Sequence, residues 1–119
     1  MLARAAIGLG ANAGDVESTM AYALVRLRRL GHVVRVSPRY RSKAWGVTEQ
    51  PDFLNAVALL DTALAPHALL EGLKKIERTL GRVPTFRWGP RAIDLDLLTY
   101  GDLGLDDEDL TIPHARMSQ

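Results

Sequence analysis

The sequence predicts an α+β sandwich with the element order β-α-β-β-α-β. Three observations lead there. Four short stretches are apolar or alternating, as strands are, and two longer ones carry apolar residues at helical spacing. These stretches fall in the order strand, helix, strand, strand, helix, strand. Right-handed β-α-β connections then make a four-stranded antiparallel sheet with both helices packed on it the simplest arrangement. This is the ferredoxin-like sandwich.

The first strand is read over Ala3 to Leu9, bounded by Gly8 and Gly10. Gly10 to Asp15 is turn chemistry. Asp15 is placed to cap a helix in which Val16, Met20, Ala23, Leu24, Leu27 and Leu30 recur on one face. Gly31 is expected as its C′ stop. His32 to Val36 is β-branched and alternating, a second strand. Arg39 to Asp52 reads as a long connection, of the length that is usually functional or disordered. Phe53 to Leu60 is the third strand, with Val57 to Leu60 apolar on both faces as in a covered strand. Pro66 suits the first helical position. Leu69, Leu73, Ile76 and Leu80 make the stripe of that helix, and Gly81 its stop. Arg82 to Gly89 is a second loop, Ala92 to Tyr100 the fourth strand, and Gly101 to Asp107 polar turn material. Leu110 to His114 reads as a short extended segment.

The 119 residues fit a single domain, with a core over about 1–101 and an extension over 102–119. Cysteine is absent, which excludes disulfides and thiolate metal sites. No long apolar run follows Met1, so a signal peptide and a membrane span are not expected, and the cytoplasm is the expected location. The net charge is only +1, yet seven Arg or Lys and no acid lie between Arg26 and Lys43. Five acids and no base lie between Asp102 and Asp109. The basic block can be a solvated face, an anion-binding surface or a nucleic-acid patch. RNA binding on this fold uses aromatics on the sheet face. Here Phe53 stands almost alone, so no nucleic-acid partner is expected.

The stretch richest in chemistry runs Arg87-Trp88-Gly89-Pro90-Arg91-Ala92-Ile93-Asp94-Leu95-Asp96-Leu97-Leu98. On a strand, Asp94 and Asp96 share a face and Ile93, Leu95 and Leu97 take the other. Two carboxylates about 7 Å apart along a strand repel unless a cation lies between them. Mg²⁺ meets that need, being held by one or two carboxylates plus substrate phosphates. Arg87 and Arg91 have the forked geometry that suits phosphate oxygens. The competing reading is a solvated face with surface arginine partners. Histidines 32, 67 and 114 lack metal-ligand spacing.

This stretch strongly resembles the signature of the 6-hydroxymethyl-7,8-dihydropterin pyrophosphokinase family of folate biosynthesis. Ile7-Gly8-Leu9-Gly10-Ala11-Asn12, Gln50-Pro51-Asp52-Phe53-Leu54-Asn55, Leu80-Gly81-Arg82 and Ile112-Pro113-His114 resemble further family segments in the same order. The resemblance implies transfer of pyrophosphate from ATP to the pterin hydroxymethyl group with release of AMP, and two Mg²⁺ ions. It implies that Asp94 and Asp96 hold the metals and that Arg82 and Arg91 clamp phosphates, these four being catalytic. Asp96 is also a candidate acceptor of the hydroxyl proton. Ser42, Trp45, Phe53, Asn55, Trp88 and Asp94 would form the pterin side. Lys74, Glu77, Arg87, Arg91 and His114 would form the ATP side. Small-molecule substrates and a monomer are implied. Taken alone, Phe53 reads as core and Glu77 as a helix-surface acid.

The chain also departs from the family pattern. Lys43-Ala44-Trp45 stands where relatives have a proline-rich or apolar stretch, and Pro84 where the loop is often basic. Family members continue past the position of Gln119 with an arginine, an aromatic that closes the other side of the pterin, and further structure. With that tail absent, weaker pterin affinity and turnover are expected. The alternatives are a truncated, weakly active or inactive homologue, or a ferredoxin-like nucleotide- or RNA-binding module.

Overall fold

The structure is a computed structural model that describes residues 1–43, 52–80 and 93–114. In chain order its elements are β1 (Ala3–Ala11), α1 (Val16–Leu27), β2 (His32–Val36), β3 (Tyr40–Ser42), β4 (Phe53–Thr62), α2 (Pro66–Thr79), β5 (Asp94–Tyr100), β6 (Leu105–Asp106) and β7 (Thr111–Ile112). The main sheet runs β2-β4-β1-β5, with β3 paired to the other end of β4. Every pairing in it is antiparallel. The expected α+β order is therefore present.

Period-two alternation decides which face is buried. In β4, Leu54, Ala56, Ala58, Leu60 and Thr62 are buried and the residues between them are half-exposed. Ile7 and Leu9 of β1, and Leu95 and Leu97 of β5, join that buried face. The two helices cover it. Met20, Ala23 and Leu27 of α1 and Leu69, Leu73 and Ile76 of α2 supply the other layer of the core. Fully burying one such aliphatic side chain stabilises the fold by about 1.5–3 kcal/mol. Val57 and Leu59 are only half-buried, so β4 is covered on one face rather than two.

Asp15 caps α1: its Oδ1 accepts the Ser18 amide at 3.2 Å and its Oδ2 the Ser18 hydroxyl at 2.8 Å. Those bonds hold the Asp15 carboxyl below the usual carboxylate range. The helix ends at Leu27, three residues before the expected Leu30, and tightens through Arg29 and Leu30 amides bonded to Arg26 and Leu27 carbonyls. Gly31 is not left-handed, since among the described residues only Gly14 and Gly101 have positive φ. It is glycine for another reason. A Cβ there would overlap the backbone carbonyl of Asp61 in β4.

Three further expectations are corrected. β1 does not stop at Leu9 but carries Gly8 and Gly10 within it, because both are paired on each side. The stretch after Arg39 opens with a strand, β3, formed by pairing with Phe53–Asn55 of β4. The turn after Gly101 contains β6, which pairs with β7 in a two-stranded ribbon. The expected stop at Gly81 lies outside the described residues.

Candidate active site

The sheet face turned away from the helices carries the candidate site. Two residues of the central strand, Gly8 and Gly10, have no side chain to project there. Register sets their neighbours. Gly10 pairs with Asn55 on one side and Asp94 on the other. Gly8 pairs with Val57 and with Asp96. Tyr40 pairs in turn with Asn55, and Ser42 with Phe53. One row across four strands therefore reads Tyr40, Asn55, Gly10, Asp94. With neighbouring strands spaced about 4.8 Å, Asn55 and Asp94 stand about 10 Å apart across the glycine.

The result is a cavity of about 470 Å³ whose wall includes Ser42, Phe53, Asn55, Asp94, Asp96 and His114, with Gly8 and Gly10 as floor. A Cβ on Gly10 would lie 3.2 Å from Asn55 Oδ1 and 3.5 Å from a Phe53 ring carbon, so the floor is tight there. Phe53 belongs to this open face and is half-buried, not a core residue. The Asn55 amide is held by its nitrogen, which donates to Ser42 Oγ at 2.8 Å, Phe53 O at 3.2 Å and Tyr40 O at 3.3 Å. That grip turns Oδ1 toward Gly10 as a fixed acceptor beside the aromatic ring.

On the opposite wall, β5 alternates. Leu95 and Leu97 are buried while Asp94 and Asp96 are half-exposed on the cavity side. His114 follows β7, and its amide donates to Leu98 O at 2.9 Å. That bond brings its Nε2 to 3.6 Å from Asp96 Oδ1. The β6–β7 ribbon carrying it is pinned by buried Leu110 and Ile112. It is also pinned by the 2.8 Å contact of His67 Nε2 with Asp107 Oδ2. Among the described residues no group of three or more His, Cys, Asp or Glu converges as a ready metal cage. Two carboxylates on one wall of a cavity fit Mg²⁺ nonetheless, since that ion keeps waters and substrate phosphates as its other ligands.

Lys74 is exposed on α2 and does not line the cavity. Glu77 does not line it either, and it is not a surface acid: it is buried, with Oε2 accepting the Leu95 amide at 2.8 Å. Trp45, Arg82, Arg87, Trp88 and Arg91 lie outside the described residues. Sequence reasoning missed the two floor glycines. Their signal was available, because a glycine inside a strand marks a bulge or a close approach.

A family model described as 7,8-dihydro-6-hydroxymethylpterin-pyrophosphokinase matches residues 6–119. The 2-amino-4-hydroxy-6-hydroxymethyldihydropteridine pyrophosphokinase of Methylorubrum extorquens is 46% identical over 115 residues, covering 95% of this chain and 73% of the relative. The protein of the same name from Pseudomonas putida is 42% identical over 119 residues, 98% of each chain. A mitochondrial folate synthesis bifunctional protein of Pisum sativum is 44% identical over 112 residues, 93% of this chain but 22% of that protein.

Proposed function

The chain belongs to the 7,8-dihydro-6-hydroxymethylpterin-pyrophosphokinase family, and on that premise we propose that it moves pyrophosphate from ATP to 6-hydroxymethyl-7,8-dihydropterin, releasing AMP. The pterin hydroxymethyl oxygen forms a bond to the β-phosphorus. The bond from that phosphorus to the α–β bridging oxygen breaks, AMP leaves with the electron pair, and the hydroxyl proton is lost.

One observation supports this reading above the others: the register row that sets Asn55 and Asp94 on either side of Gly10. A flat heterocycle lying over the glycine floor would meet the Phe53 ring and the fixed acceptor Asn55 Oδ1 at one end. Its substituent would then point toward the carboxylates of β5. Asp94 and Asp96 are the residues that would hold Mg²⁺, two ions by family resemblance. Bound there, the metal offsets charge developing on the phosphates. Phosphoryl-type transfer depends mainly on such positioning and electrostatics. Asp96, with His114 beside it, is the proposed acceptor of the hydroxyl proton. Ser42 orients Asn55 through the 2.8 Å bond. Arg82 and Arg91 are proposed phosphate clamps, Trp45 and Trp88 pterin-side residues, and Arg87, Lys74 and His114 ATP-side residues, with Glu77 buried behind the cavity wall against β5.

We further propose that the chain works as a monomer in the cytoplasm. Among the described residues no helix is long and apolar enough to cross a membrane.

The test is AMP release by the purified chain. AMP formed only with ATP, Mg²⁺ and the reduced pterin together supports the reading. ADP as product, or AMP independent of pterin, refutes it.

A further inference from the structure

In the sheet order β2-β4-β1-β5, strand β5 is an edge among the described residues. An edge strand leaves every second residue with its amide turned away from the sheet. Leu95 is such a residue, and its amide is met by Glu77 Oε2 at 2.8 Å. Glu77 reaches there from α2 and is only 6% exposed. The carboxylate is thus buried beside the sheet edge and acts as a surrogate neighbouring strand for one residue. Leu95 is the residue between Asp94 and Asp96.

We propose that Glu77 is a positioning residue for the Asp94–Asp96 pair, setting the spacing and tilt of the two carboxylates through the Leu95 amide rather than by touching nucleotide. The inference rests on the proposed Mg²⁺–ATP reading of the cavity. Three features support the assignment. Glu77 is buried and is not on the cavity wall. The bond is shielded from water, so it is stiffer than an exposed one. A shift of β5 by a fraction of an ångström moves both carboxylates together, because they sit on either side of the clamped residue.

The experiment compares the unsubstituted chain with Glu77→Gln, Glu77→Asp and Glu77→Leu. Glutamine keeps an acceptor at the same reach, aspartate falls one methylene short, and leucine has none. The readouts are Mg²⁺-dependent binding of a non-hydrolysable ATP analogue and hydrogen exchange at the Leu95 amide, both under conditions where each variant is folded. We expect the Asp and Leu variants to weaken Mg²⁺-dependent binding about 10- to 100-fold, the range for outer-sphere partners of metal ligands. Leu95 exchange should accelerate in step, and glutamine should restore both readouts. If glutamine binds as poorly as leucine although its Leu95 amide stays protected, the carboxylate acts directly and the proposal is overturned. Normal Mg²⁺-dependent binding by the Leu variant overturns it as well. If leucine cannot be folded, the Asp–Gln comparison decides in the same way. Failure of the unsubstituted chain to bind nucleotide with Mg²⁺ is a different result. It removes the pyrophosphokinase reading, and with it the role proposed for Glu77.

Discussion

Asn55 and Asp94 are both cross-strand partners of Gly10. A neutral amide that can read a heterocycle and a carboxylate that can hold a cation are thereby set at a fixed separation by backbone hydrogen bonds. Loop conformation does not enter. Strand spacing makes that separation about 10 Å, comparable to the length of a bicyclic heterocycle with a short substituent.

The carboxylate pair gives the first prediction. Asp94→Asn and Asp96→Asn keep the side-chain shape and remove the charge. Each should lower turnover about 100-fold or more, the scale seen when a preorganised charge-stabilising group is lost. Unfolding midpoints should stay close to that of the unsubstituted chain, because both side chains are half-exposed. Steady-state AMP release beside urea unfolding checks this.

Gly10 gives the second. In Gly10→Ala the new methyl would sit 3.2 Å from Asn55 Oδ1 and 3.5 Å from the Phe53 ring. It also fills the floor on which the heterocycle is proposed to lie. The KM for pterin should rise about 10-fold or more while the KM for ATP changes little, the pattern of a lost binding contact on one substrate. Gly10→Val should show the same split more strongly. Equal changes in both KM values would count against the proposed orientation of the substrates.

Gly31→Ala tests packing far from the cavity. Its Cβ would overlap the Asp61 carbonyl, which has little freedom because Asp61 is paired with Arg4 on β1 and His32 on β2. Overpacking of this kind costs about 1–3 kcal/mol. A lowered urea midpoint with unchanged KM values is expected.

The acid limb of stability is the fourth. Arg4 donates to both carboxylate oxygens of Asp61, at 2.9 and 3.1 Å. That pairing holds the Asp61 carboxyl below its ordinary value. Asp107 is held down too, first by the Asp109 amide, with the Leu110 amide and His67 adding to it. A carboxyl lowered in the folded state adds stability above its unfolded value of about 3.9, and loses it as pH falls through the lower folded value. Thermal midpoints should therefore drop as pH is lowered from about 5 toward 2. Asp61→Asn should flatten that drop in proportion to its share. A chain whose midpoint rises over the same interval would contradict the sign.

Much of this architecture was legible in the residues. The alternation from Ile93 to Leu97 put the two acids on one face before any partner strand was known, and β5 carries them so. Asp15 was legible as a cap because the turn before it and the apolar stripe after it are local signals. What was not legible depends on distant partners. Gly8 and Gly10 looked like punctuation, since only pairing with β4 and β5 shows that the strand continues through them. Tyr40–Ser42 has no alternation of its own and becomes a strand by pairing with Phe53–Asn55. Glu77 had a local signal that went unused. It lies four residues after Leu73 and one after Ile76, within the apolar stripe of α2, where a charge is out of place unless something receives it.

The alternation of the strands separates two kinds of sensitivity to substitution. If every position over Phe53 to Ala58 of β4 and Asp94 to Leu97 of β5 were varied in turn, loss of soluble protein and loss of turnover should alternate with a period of two. The sequence of this sheet can therefore drift in what it binds while keeping what lets it fold, since each demand falls on a different set of codons.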